Sequence, residues 1–282
     1  MTAFTFRDLA FVSGKSAALL YPSYVQDYLD RVIAADVAAG NTQGLELAVT
    51  DAISTCLQAL VADGILGVSG GVLAQAASLI KAGCFMMSAR TLPGALVPLA
   101  SDMPAPTNFN LVSGDYDRKT GLQLGGTGKY VDTNADNASA SLGSQNDKHL
   151  AIYVPLTSAT NTRTYMRGGN SGIAITSALS VFVNSTATTV AGAHVLSDTA
   201  FPFLGVSRAQ SSNFTLRARG ATSQVTSTSS VPGAGSYVLG WNGSTSYTNC
   251  KMSFYSTGMA LDLAILEARL ITLSQALAAA IP

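Results

Sequence analysis

The sequence predicts an α+β protein that is mainly β. A helical N-terminal domain is followed by an antiparallel β-sandwich or barrel and then by a C-terminal helix. Three observations carry this. Apolar residues recur at helical spacing from Ser23 to about Met87. Pro93, Pro98, Pro104 and Pro106 then crowd a short stretch that cannot continue a helix. Beyond them the chain turns to Ser, Thr, Asn and Gly around short apolar runs, until leucines at heptad spacing close it. The expected organisation is an N-terminal arm (1–22), a helical domain (23–92), a Pro-rich linker (93–108), the β domain (109–258) and a C-terminal helix (259–282).

In the helical domain, Val25, Tyr28, Leu29, Val32 and Ile33 share one face of a first helix, with Ser23 placed to cap it. Leu45, Val49, Ala52, Ile53, Cys56, Leu57 and Leu60 mark a second helix that exits at Asp63-Gly64. Leu73, Ala77, Ile80, Cys84 and Met87 suggest a third, completing a small bundle.

In the β domain the candidate strands are "HLAIYVP", "IAITSALSVFVN", "FLGVSR", "FTLRAR", "SYVLGWN" and "CKMSFYS", with turns such as "RGGNSG", "QSSN", "VPGAG" and "WNGSTS" between them. No helices interleave, which disfavours a parallel α/β sheet. At the C-terminus Leu263, Leu266, Leu270, Leu273 and Leu277 form a seam at spacings of 3 and 4. This seam either docks on the chain's own helices or serves as an assembly seam between copies of the chain.

Several functions are excluded by composition. Among 282 residues, 16 basic groups balance 16 acidic ones and only 11% are charged, so nothing attracts a polyanion and nucleic-acid binding is not expected. The N-terminus lacks the basic start and apolar run of a signal peptide, so secretion by that route is not expected. The apolar stretch "GILGVSGGVLAQAASLIKAGCFMM" is interrupted by Gly67, Gly70, Gly71, Gln75 and Lys81, and membrane insertion is not expected. Cys56, Cys84 and Cys250 are widely spaced and read as buried thiols, without a zinc pattern or a disulfide framework.

The stretch that most resembles a site is "VSGDYDRKTGLQLGGTGKYVDTN", residues 112–134. As a phosphate loop it fails, because Gly128-Lys129 is followed by Tyr130 and a strand-like segment rather than Ser or Thr and a helix. As a calcium loop it offers Asp115, Asp117 and Asp132, with Asp136 just beyond, but Arg118 and Lys119 stand where oxygen ligands belong. A polar turn, with Asp115 and Asp117 pairing to Arg118 or capping the turn, fits better. Neither a metal nor a cofactor is expected.

The equipment for catalysis is thin. His149 and His194 (near Asp198) are the two histidines, Glu46 and Glu267 the two glutamates, and no G-x-S-x-G elbow occurs. An enzyme is not expected, and no catalytic residue is assigned. Sequons at Asn137, Asn184, Asn213 and Asn242 are what an Asn/Ser/Thr-rich chain gives by chance. Trp241 and Tyr247 flank the turn "NGSTS" and are the candidate glycan contact. Phe4, Phe6, Phe11 and Tyr21 make the first residues an apolar candidate anchoring arm.

Together "APTNFNLVSGDYDRKTGLQLGGTGKYVDTN", "NDKHLAIYV", "GVSRAQSSNFTLRARG" and "MSFYSTGMALDLAILEARLITLSQALAAAI" resemble a family of tailed-phage and prophage structural proteins. Those proteins carry a jelly-roll domain similar to laminin-G and concanavalin-type lectins. "ADGILG…KAGCFMMSARTLPGALVPL" resembles the helical segment upstream in that family, so the likeness runs over about residues 45 to 282. It implies a jelly-roll β-sandwich in a bacteriophage virion protein assembled in the host cytoplasm. The expected role is a surface-exposed component of the tail, baseplate or fibre apparatus. The alternatives are a head decoration (cement) protein or a carbohydrate-binding module for host attachment. Expected partners are other virion proteins, further copies of the chain (a trimer favoured) and, in the attachment reading, a host surface glycan. In the family the 112–134 stretch is the entry turn and first strands of the sandwich.

Overall fold

The computed structural model describes residues 21–125, 128–157, 163–175, 179–185, 188–190, 203–218, 220–240 and 250–282. Its fold class is the expected one: N-terminal helices, antiparallel sheets packed as a sandwich, and a C-terminal helix.

Helix α1 (Ser23–Ala38) buries Val25, Tyr28, Leu29 and Val32. Its cap position is Pro22, one residue before the expected Ser23, and the Ser23 hydroxyl instead donates to the Gly71 carbonyl at 2.7 Å. Helix α2 (Leu47–Ala62) buries Val49, Ile53, Cys56, Leu57 and Leu60, and the chain leaves it through left-handed Gly64 (φ 70°). The expected third helix does not form. Gly70 and Gly71 (φ 60° and 82°) turn a short hairpin of β1 (Val68–Ser69) and β2 (Val72–Leu73). Residues 80–85 then enter a sheet as β3 (Ile80–Phe85).

β3 is the edge of a six-stranded antiparallel sheet. From β3 it continues through β19 (Phe254–Gly258), β8 (Lys148–Tyr153), β14 (Phe203–Arg208) and β15 (Asn213–Ala218) to β16 (Ala221–Thr226). Over β3, β19, β8 and β14 both faces of this sheet are covered, whereas β15 and β16 keep half-buried or exposed positions. Along β8, Leu150 and Ile152 face the sandwich interior while Ala151 and Tyr153 face the helices; along β14, Leu204 and Val206 divide from Phe203 in the same way. Double burial explains why residues 80–85 carry apolar side chains at both parities and mimic a helical pattern. A bulge opposite Thr257/Gly258 turns Ile80 to the helix side, away from Ala82 and Cys84.

The facing sheet has seven strands, ordered β13 (Thr188–Val190), β12 (Leu179–Phe182), β11 (Ser171–Ile175), β10 (Arg163–Gly168), β17 (Ser236–Leu239), β7 (Tyr130–Asp136) and β4 (Thr107–Phe109). A four-stranded sheet of β5 (Tyr116–Asp117), β6 (Gly121–Leu124), β18 (Cys250–Met252) and β9 (Leu156–Thr157) adds Leu122, Leu124 and Met252 to the same interior.

The segment 93–108 is structured rather than a free linker. A one-turn helix α3 (Leu92–Ala95) opens it, Leu99 N–H donates to Gly83 O at 3.0 Å, and Leu99 and Ala100 are buried. These contacts cover the β3 edge.

Helix α4 (Leu263–Ala280) is capped by the Asp262 carboxylate, which accepts from Ala264 and Ile265 N–H. Its five leucines lie in one cluster with the buried face of α2 and with Ala151, Tyr153 and Phe203 of the sheet. The leucine seam is therefore filled from within one chain, the first of the two readings of it, and is not left over as a seam between copies. Close approach needs Gly205 on β14, where a Cβ would stand 2.8 Å from Leu263 Cδ2. Two ion pairs brace the helix, Arg269 to Asp63 (2.7 Å) and Arg217 to the buried Glu267 (2.6 Å). By length and composition α4 could cross a membrane, but its leucine face is the core of this fold.

Deleting residues 259–282 is expected to abolish cooperative unfolding rather than leave a folded, smaller species, because it bares the helix-side face of the sheet. Light scattering and thermal melting followed by circular dichroism check this. The milder Leu270→Ala change should cost about 2–5 kcal/mol in denaturant titration.

Candidate functional site

The 112–134 stretch is a brace between layers. Asp117 Oδ1 accepts from Lys119 N, Thr120 N and Thr120 Oγ1, closing the β5–β6 turn as expected. Asp115 pairs with Lys129 (2.8 Å) instead of Arg118. Arg118 reaches the helical layer, donating to both Glu46 oxygens (2.9 and 2.6 Å) and to the Ser88 and Ala89 carbonyls. Arg90 pairs with the same carboxylate at 2.9 Å, and the Arg118 guanidinium holds the Glu46 carboxyl below its ordinary range. Asp36, buried on α1, accepts from Arg90 N, Thr91 N and Thr91 Oγ1 ahead of α3. Both carboxylates tie elements distant in sequence to one another. Sequence reading missed these roles, because the partners of Glu46 and Asp36 lie tens of residues away.

His149 is fully buried, on the helix side of β8. Its Nδ1 lies 2.6 Å from the Met259 carbonyl, which can only accept, so Nδ1 carries the proton and Nε2 accepts from Ser256 Oγ at 3.0 Å. Burial pushes its pKa down to about 4, against the Met259 bond that raises it. The imidazole is thus neutral near pH 7, fully buried, and hydrogen-bonded through both ring nitrogens. His194 and Asp198 lie outside the described residues. Among the described residues no group of three His, Cys, Asp or Glu could hold a metal. Cys56 and Cys84 are buried free thiols, and burial pushes Cys56 up to about 12.

One end of the sandwich holds a dense polar network. Asn137, just past β7, donates through Nδ2 to Asn170 Oδ1 and Gly233 O, each at 3.0 Å. Asn170 also donates to Ser230 Oγ and Val231 O, and Asn184 donates to Ser144 and Gln145 carbonyls. Two cations enter this end from adjacent strands, Lys148 and Arg208, which are register partners. Neither forms an ion pair among the described residues. Arg208 donates to the Val183, Gln210, Ser211 and Asn213 carbonyls and lies over the Phe214 ring. Lys148 donates to Asn137 O and Oδ1. Asn137 and Asn184 are fully buried, which removes those two sequons as glycan acceptors.

An exposed aromatic pair lies at the β4 edge of the seven-stranded sheet. Phe109 stacks on Tyr130 (4.4 Å between centroids, 9° between planes) and is 36% exposed, while nearby Val112 is 58% exposed. Sequence reading missed this pair. Trp241 and Tyr247, the expected glycan contact, lie outside the described residues, as do Phe4, Phe6 and Phe11 of the arm. Tyr21, the fourth arm residue, is held on α2, donating to Asp51 Oδ1 at 2.7 Å and sharing a 2.9 Å hydrogen bond with Thr50 Oγ1.

No family model matches the chain, and no curated protein matches it. Among solved structures, a Trypanosoma rangeli sialidase in complex with 2,3-difluorosialic acid (a covalent intermediate) aligns over 80% of this chain and 39% of its own, at 10% identity and a TM-score of 0.47. The binding domain of botulinum neurotoxin serotype D aligns over 70% of this chain and 51% of its own, at 9% identity and the same TM-score. The chain thus spans about two fifths of the sialidase and half of the toxin domain. Nothing about its ligands follows from either.

The depressed His149 pKa carries a stability consequence. The unfolded imidazole binds a proton near its ordinary value of 6.5 and the folded one only near 4, so stability falls as pH drops through that window. His149→Gln is expected to flatten the pH dependence of the denaturation midpoint between pH 6.5 and 4.5. The depressed carboxylates, Glu46 and Asp63 among them, add their loss at lower pH and leave this window to the histidine.

Proposed function

We propose that this chain is a structural protein of a tailed-phage virion, a surface-exposed component of the tail, baseplate or fibre apparatus that acts by binding its neighbours. The single observation that carries the reading is the use of its ionisable side chains as cross-layer braces. Glu46, Asp63 and Glu267 tie helices to one another or to sheets, and His149, Lys148 and Arg208 are buried in hydrogen bonds to their surroundings. Such groups hold a shape and do not turn over a substrate. The resemblance of the sequence motifs to phage structural proteins supports the same reading.

The surface offered to a neighbour is the β4 edge. Thr107–Phe109 is exposed throughout, with one side of the strand unpaired in its sheet, and Phe109, Tyr130 and Val112 supply an apolar patch beside it. An unpaired edge flanked by aromatic surface suits strand-to-strand or strand-to-loop packing. Head decoration would use the same surface. The attachment reading rests on Trp241 and Tyr247, which lie outside the described residues.

Antibodies raised against the recombinant chain test the reading on gradient-purified particles from the source lysate. Labelling at the tail or baseplate by electron microscopy is expected, and a chain abundant in the lysate but missing from the particles sinks the proposal. The double change Phe109→Lys with Val112→Lys should reduce incorporation at least about tenfold, the effect of losing ~1.4 kcal/mol of interface energy. Its thermal midpoint should stay close to that of the unmodified chain.

A further inference from the structure

At the polar end of the sandwich an amine and a carboxamide are buried against each other. Lys148 Nζ lies 3.1 Å from Asn137 Oδ1 and 2.5 Å from Asn137 O, and both residues are fully buried. The carboxamide is held on all sides. The Tyr237 hydroxyl donates to the same Oδ1, Nδ2 is engaged by Asn170 and Gly233, and the Asn137 N–H donates to Gly235 O at 3.0 Å. Lys148 opens β8 of the six-stranded sheet and Asn137 follows β7 of the seven-stranded sheet, so the pair spans the sandwich.

We propose that Lys148 and Asn137 form an intramolecular isopeptide bond that staples the two sheets. The neutral amine attacks Cγ of Asn137, forming the Nζ–Cγ bond. The Cγ–Nδ2 bond breaks, one proton passes from Nζ to Nδ2, and ammonia leaves. No oxidant or co-reactant is consumed. The donated Tyr237 hydrogen bond withdraws charge from the carbonyl and stabilises the oxygen as it becomes negative. Burial lowers the Lys148 pKa to about 8, against the attraction of Asp136 that raises it, so the nucleophilic form is within reach near neutral pH. Fixing both groups in a dry site replaces a collision by a held geometry.

Intact-mass spectrometry of the purified full-length chain is the test. The proposal expects a mass lower than the sequence mass by one ammonia, restored to the sequence mass in Lys148→Arg, whose guanidinium keeps the charge without a nucleophilic amine. Peptide mapping of the unmodified sequence supplies a readout that does not depend on a variant folding. Trypsin should fail to cut after Lys148, leaving residues 130–163 as one fragment lighter by ammonia, with residues 137 and 148 joined. An unshifted intact mass with normal cleavage at Lys148 overturns the proposal. So does an ammonia loss that persists in Lys148→Arg, which is the signature of a succinimide at Asn137.

Discussion

Everything else in this structure depends on four strands of one sheet, β3, β19, β8 and β14, being dry on both faces. An antiparallel sheet ordinarily keeps one face wet, but the six-stranded sheet has the seven-stranded sheet on one side and α1, α2 and α4 on the other. Those strands must then be apolar at every position whose side chain is not hydrogen-bonded, and all six residues of the central strands β8 and β14 and of the edge strand β3 are buried. The helices are no separate bundle with a tether. Tyr28 of α1 meets Phe85 of β3 edge to face (6.1 Å), and Phe85 meets Phe254 of β19 at 5.7 Å, so the helical layer and the sheet share one core.

The same constraint explains what could be read from the sequence and what could not. α1, α2 and α4 each keep a wet face, so their 3.6-residue periodicity survives and they were legible. "FLGVSR" and "HLAIYVP" were legible as strands because β-branched and aromatic residues fill runs too short for helices. Residues 73–87 misled because a strand buried on both sides loses the alternation that identifies it, and Ile80, Cys84 and Met87 happen to fall at helical intervals. The heptad leucines were ambiguous for a different reason. Spacing fixes that a helix buries a seam but not whose surface fills it. The braces were invisible because each joins residues far apart in sequence, 72 positions between Glu46 and Arg118 and 206 between Asp63 and Arg269. Of the candidate sites, the 112–134 stretch was legible as a turn with strands, whereas its tie to Glu46 was not.

Buried polarity is placed mainly at the margins of the dry sheet. His149 and Ser207 sit near the ends of β8 and β14, Ser256 at the middle of β19, and each finds a partner in another strand or in the turn leading to α4. Lys148 and Arg208 lie one residue further out on adjacent strands, where two buried cations side by side would repel. Their side chains diverge, one to Asn137 and the other to carbonyls around Val183 and residues 210–213, so each is solvated separately by oxygen atoms of the protein. Removing the acceptors of Arg208 would leave an uncompensated charge in a low-dielectric interior.

This economy of charge reaches the outer surface. The chain has few ionisable residues, its net charge is zero, and several of its charges are committed to internal braces. Little charge therefore remains to guard the outer strands β4 and β16, which carry Thr, Asn, Ser and Gln beside Phe109 and Val225. Proteins that must remain alone in solution usually place lysines or prolines on such edges and keep their net charge away from zero. A fold that invests in a rigid double-faced core while leaving its outer edges neutral and open is better suited to being covered. In the proposed reading, the β4 edge, with its stacked Phe109 and Tyr130, is the surface where covering would begin.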